Sequence, residues 1–202
     1  ANRVWRHLIG RGLVETMDNF GRTGAEPTHP ELLDHLAREL LDGGWSVKSL
    51  VRNIVTSHTF TLAASHADNP QSALANERDP DNRLLWRYSR SRLDPEALRD
   101  AMLFAAGELD LKRYGSTVYY LGDQATAVGE NKIRRRTDFP CRSVYLPVIR
   151  NELPELFATF DFADPHCTTG ARTQTIVPTQ GLFLLNDEAV MDAAATVARR
   201  VL

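Results

Sequence analysis

Arg142, Arg150 and Arg172 flank Asp161 and Asp164 in a stretch otherwise rich in apolar residues. These residue types suit two kinds of chemistry. Arginine presents a planar fork of donors that matches a carboxylate or phosphate, and two carboxylates are the equipment of glycoside hydrolysis. Arg150-Asn151 falls where a strand is expected to become a helix. Asp161 and Asp164 follow that helix, and Thr179 and Gln180 open another. Helix starts and strand ends are where side chains and free backbone N–H groups converge on ligands. Arg150, Asp161, Asp164 and Arg172 are therefore the candidate ligand-binding residues. The favoured alternative is structural: the arginines pair with the aspartates and tie irregular loops to the core.

Other chemistry finds less support. The six histidines, His7, His29, His35, His58, His66 and His166, are scattered and lack metal-ligand spacing. Neither a Cys-x-x-Cys nor a haem-attachment motif occurs, so no metal and no cofactor is expected. Ser57-His58 and Ser65-His66 are adjacent in sequence, which is not triad geometry. The glycines between Gly10 and Gly24 lack the phosphate-loop signature and read as turns. Lys132, Arg134, Arg135 and Arg136 form a short basic run, read as a solvated loop. Cys141 and Cys167 could form one disulfide or remain separate buried thiols, and sequence leaves both open.

The elements that must position these residues are mostly helices. The length of 202 residues fits one domain or a compact pair of subdomains. A net charge of −2 gives no global pull toward nucleic acid. No stretch approaches the ~20 apolar residues of a membrane span. Val4, Trp5, Leu8 and Ile9 lie at helical spacing. Thr28 and Glu31 have capping-box spacing, ahead of a stripe of Leu32, Leu33, Leu36, Leu40 and Leu41. Ser46 reads as the cap of a second helix carrying Val47, Leu50, Val51, Ile54 and Val55, with Trp45 and Leu50 spaced as a hydrophobic staple. The two helices should form a hairpin.

Residues 66–83 read as a loop, followed by a short helix through Leu84, Leu85 and Trp86. Asp94-Pro95-Glu96 starts a further helix, with Leu98, Ala101, Met102 and Ala105 on one face. Thr117–Leu121 and Ser143–Ile149 read as strands, and Pro147 makes the second an edge or a bulge. Gly122–Asp138 reads as a mobile loop. Leu153–Phe160, Thr179–Leu185 and Asp187–Leu202 complete the helices, the last with Val190, Ala193, Ala194, Val197 and Val201 in register. The expected fold is mainly α, a helical domain with one small two-stranded β element. Both ends read as helical, as if cut from a longer chain.

Several motifs in fixed order carry a family resemblance. They are Asn2-Arg3-Val4-Trp5-Arg6-His7-Leu8, Gly12-Leu13-Val14, Asp18-Asn19-Phe20-Gly21, His29-Pro30-Glu31-Leu32-Leu33, Asp81-Asn82-Arg83-Leu84-Leu85-Trp86, Arg142–Asn151, Phe160-Asp161-Phe162, Val177-Pro178-Thr179-Gln180 and Leu182–Asn186. With them the chain resembles the planctomycete DUF1553 domain, also called PSD1, over nearly its whole length. Gly181 departs from the family's usual alanine.

The resemblance implies a single domain over 1–202, usually the C-terminal part of a larger exported protein. Partner domains would then be DUF1549-like and in some cases cytochrome c-like, in an extracytoplasmic location. It makes a Cys141–Cys167 bridge more plausible and carries over no catalytic residues. The function expected is an accessory or interaction module. The alternatives are a carbohydrate-acting hydrolase around Arg150, Asp161, Asp164 and Arg172, and an electron-transfer support domain for an attached cytochrome.

Overall fold

The computed structural model describes residues 1–64, 70–112, 139–150 and 153–202. The chain is mainly helical, as the periodicities predict, and divides into two compact units, Ala1–Ser91 and Arg92–Leu202. Each surrounds its own apolar cluster.

The first unit contains α1 (Asn2–Ile9), a 3₁₀ turn at Gly21–Thr23, α2 (Pro30–Asp42), α3 (Val47–Val55), α4 (His58–Thr61) and α5 (Pro70–Arg78). Trp5 and Ile9 of α1, Leu13, Leu36 of α2, and Leu50 and Ile54 of α3 form its core. These are the residues that helical spacing places on facing stripes. Gly10 ends α1 at a φ of 94°, a left-handed position that suits glycine. Ser46 caps α3 as predicted, accepting from the Ser49 N–H.

Three local expectations are corrected. Thr28 does not cap α2, because its N–H and hydroxyl are both directed to the Leu13 carbonyl; His29 is the N-cap and Pro30 the first helical residue. Trp45 does not staple to Leu50. Its φ of 64° turns the indole outward, where it is 69% exposed. The helix expected at Leu84–Trp86 is a turn, and the helix is instead α5, within the stretch read as loop. Asn82 and Leu85 have φ of 53° and 58°, which a right-handed helix cannot hold; the Asp79 carboxylate accepts from the Arg83 and Leu84 N–H groups, and Asn82 bonds to both the N–H and the carbonyl of Arg87. The glycine-rich stretch is a set of turns, tied by Thr16, which donates to the Asn19 carbonyl and accepts from the Ala25 N–H.

The second unit contains α6 (Pro95–Ala106), a 3₁₀ turn at Ser143–Tyr145, α7 (Glu155–Thr159), α8 (Pro178–Asn186) and α9 (Glu188–Val201). α6 packs against α9, α7 and the 3₁₀ turn, while α8 packs against α7 and α9. Its core is Cys141, Leu146, Leu156, Phe157 and Phe160. Phe157 stacks on Phe162 at 5.0 Å, and Phe160 meets Phe183 edge-on at 5.9 Å.

The two-stranded element is not found as expected. Thr117–Leu121 lies outside the described residues, as do Gly122–Asp138 and its basic run. Ser143–Tyr145 winds into a 3₁₀ turn because Asp100 takes both the backbone N–H and the hydroxyl of Ser143, at 2.7 Å each. Among the described residues, Asp110 and Cys141 form an isolated parallel bridge. In α9, Val190, Ala193 and Val197 are half-buried as the register predicts, whereas Ala194 and Val201 face solvent. No described helix is long and apolar enough to cross a membrane.

Candidate functional site

The candidate residues gather in the second unit around the irregular segment between α7 and α8. Asp161 stands just past the end of α7 with a φ of 60°, a left-handed conformation that aspartate tolerates better than most residues. This aims its carboxylate back across the segment. Thr175, near the far end, donates its N–H to Asp161 Oδ2 at 2.7 Å and its hydroxyl to both carboxylate oxygens, at 2.9 and 3.0 Å.

Arg92, just ahead of α6, completes the cluster. Its Nη2 lies 2.5 Å from Asp161 Oδ2, and its Nη1 donates to Gln180 Oε1 at 2.6 Å and to the Thr175 carbonyl. Gln180 is buried in the first turn of α8. It donates to the Thr159 carbonyl at 3.0 Å and accepts from the Val177 N–H, the reciprocal half of a capping box. Four side chains thus join the end of α7, the start of α8 and the approach to α6. The Thr175 backbone N–H first, then the Arg92 and Thr175 side chains, hold the Asp161 carboxyl below the usual aspartate value against the opposing effect of burial.

A second cluster lies on the same segment. Arg172 meets Glu96 of α6 fork to fork, at 2.6 and 2.7 Å. Its guanidinium lies 4.9 Å from the Phe162 ring centre, and that of Arg92 lies 5.7 Å from Phe160. Burial raises the Glu96 pKa, but the Arg172 hydrogen bonds and its own backbone N–H outweigh this and leave it below the usual glutamate value.

A third cluster joins α6 to the 139–143 segment. Arg99, 5% exposed, donates to the Cys141 carbonyl at 2.9 Å, to Ser143 Oγ at 3.2 Å and to the Phe139 carbonyl. Arg142, on the surface, has its Nε 3.9 Å from Asp100.

The sequence candidates therefore separate. Asp161 and Arg172 belong to neighbouring clusters, and their partners are Arg92, which the sequence does not single out, and Glu96, which it marks only as part of a helix start. Asp164 closes a local turn by accepting from the His166 N–H at 2.8 Å. Arg150 is exposed and partners neither Asp161 nor Glu96. The arginine–carboxylate pairing expected on structural grounds is present, with other partners. Arg99 carried a readable signal, a cation four residues after Pro95 and three before Met102, on the buried face of a helix. Arg92 carried none, and Glu96 only that of a helix start. Both cysteines are free, Cys141 buried and Cys167 exposed, so they are separate thiols, one of them not buried as expected. Among the described residues no group of three or more His, Cys, Asp or Glu is placed to hold a metal.

Comparison with protein families matches residues 1–202 to PSD1, described as "Protein of unknown function (DUF1553)". The chain belongs to this family. No curated protein and no solved structure matches it.

Proposed function

We propose that this chain is a non-catalytic accessory module of a larger exported protein, acting outside the cytoplasm by holding neighbouring domains or a partner. One observation carries the reading: the carboxylates that a hydrolase in this region would use are committed to internal bonds. Asp161 accepts from Thr175 and Arg92, Glu96 from Arg172, and Asp164 from the His166 backbone. A general acid needs a raised pKa, and both Asp161 and Glu96 are shifted the other way. Large apolar side chains left in solvent, among them Trp45, Phe104 and Ile176, supply contact surface of the kind that interfaces use.

Partner domains of DUF1549-like or cytochrome c-like type remain part of the proposal. Hydrogen exchange on this chain alone and within its parent protein tests it. Protection gained around Trp45, Phe104 or Ile176 in the parent is the expected result. Turnover of a polysaccharide by the purified chain, abolished by Asp161→Asn, would overturn the reading in favour of a carbohydrate-acting hydrolase.

A further inference from the structure

The segment from Phe160 to Val177 joins α7 to α8 without helix or strand of its own. Ordered connections longer than about 12–15 residues are uncommon in compact units and often serve as lids or Ω-loops. This one has the Ω form, since Asp161 and Thr175 bond directly and close its neck. Its body is fastened separately, by Arg172 to Glu96 of α6, with the same guanidinium lying over Phe162. Both fastenings end on the same short stretch, since Arg92 seals the neck and Glu96 holds the body.

We propose that residues 161–175 are a strap shut by two carboxylate latches, Asp161 at the neck and Glu96 beneath the body, which open as one step on protonation, lift Phe162 away with the strap and uncover Phe157 beneath it. The latches are the only charged groups in the fastening that titrate in acid, because both of their partners are arginines. Other charges around them are few. Asp94, at the start of α6, acts on Arg172 electrostatically. Arg99 and Asp100 of α6 are engaged with the 139–143 segment. α7 brings the exposed Glu155, α8 brings no charged residue, and the strap itself carries Asp164 and His166.

Both latch carboxyls have folded pKa values below their ordinary ones. Their contribution is therefore fully present above the unfolded values, about 3.9 for aspartate and 4.3 for glutamate, and is lost as pH falls through the lower folded values. The strap is closed at neutral pH and opens in acid.

Amide exchange, corrected for the intrinsic pH dependence, tests this. The Thr175 N–H is expected to lose at least about tenfold in protection between pH 7 and pH 3, the equivalent of one charge-assisted hydrogen bond, while Ala106 in α6 retains its own. Glu96→Gln at pH 7 separates one latch from two. It replaces the distant latch carboxylate by a neutral amide, as protonation would, without touching Asp161, and Thr175 protection is expected to fall with it. If Glu96→Gln loosens only the surroundings of Arg172 and leaves Thr175 unchanged, the latches are independent and the strap does not exist as a unit. That result stands even if pH 3 unfolds the whole chain.

Discussion

Arg200 reaches from α9 to the carboxyl end of α6, where its Nη1 donates to the Ala105 carbonyl at 2.6 Å. The guanidinium fills the space a side chain at position 107 would need, since a Cβ there would sit 2.6 Å from Arg200 Nη1. Gly107 also has a φ of 78°. Gly107→Ala therefore meets both backbone strain and a clash, and is expected to cost about 1–2 kcal/mol. In urea unfolding, Gly107→Ala and Arg200→Ala together should cost less than the sum of the two alone, because removing the arginine removes the clash.

Arg92→Ala leaves the Asp161 carboxylate, the Gln180 amide oxygen and the Thr175 carbonyl each short of a donor. The expected loss is about 2–4 kcal/mol. Arg92→Lys should recover only part of it, since an ammonium is a point charge and cannot span these acceptors as a fork. Denaturation midpoints at constant slope would show the order.

Trp45 combines a positive φ with an indole in solvent. For the isolated chain, Trp45→Asn should raise stability by about 0.5–1 kcal/mol, as asparagine takes this backbone conformation at lower cost. A loss of stability instead would mean that the indole makes contacts the fold depends on.

Cys141 and Cys167 should differ sharply toward a thiol-alkylating reagent. Burial pushes the Cys141 thiol pKa up and removes it from solvent, so it is unreactive in the folded protein. Cys167 is exposed and should take one adduct under native conditions. The second adduct should appear only in denaturant. Failure to add either without reductant would indicate a disulfide.

Helices with a clear stripe were legible from sequence: Leu50 and Ile54 in α3, and Trp5 and Ile9 in α1, are the core that spacing predicts. The errors occur where a polar side chain overrides local preference. Asp79 and Asn82 hold residues 79–87 in a turn whose Asn82 and Leu85 have positive φ, and Asp100 takes the Ser143 N–H that a strand would have offered to a neighbour. The alternation of Val144, Leu146 and Val148 does not survive as a shared face, because the 3₁₀ turn buries Leu146 and leaves Val144 and Val148 exposed. The candidate site was half legible. Asp161 and Arg172 stood out as charges among phenylalanines, but their partners Arg92 and Glu96 lie 69 and 76 positions away. Spacing rules describe neighbours on one element and carry no information at that distance.

That separation bears on the order of folding. The turn around Asp79 and Asn82 closes over seven positions or fewer, a loop that forms in about 10–100 ns. The Arg92 cluster must wait for chain segments up to 88 positions apart to meet, after most of the closure entropy has been spent. Its bonds should then be largely absent from the folding transition state. Removing Arg92 would accelerate unfolding while leaving the folding rate nearly unchanged, so the cluster governs how long the native state of its unit persists rather than how soon it is reached.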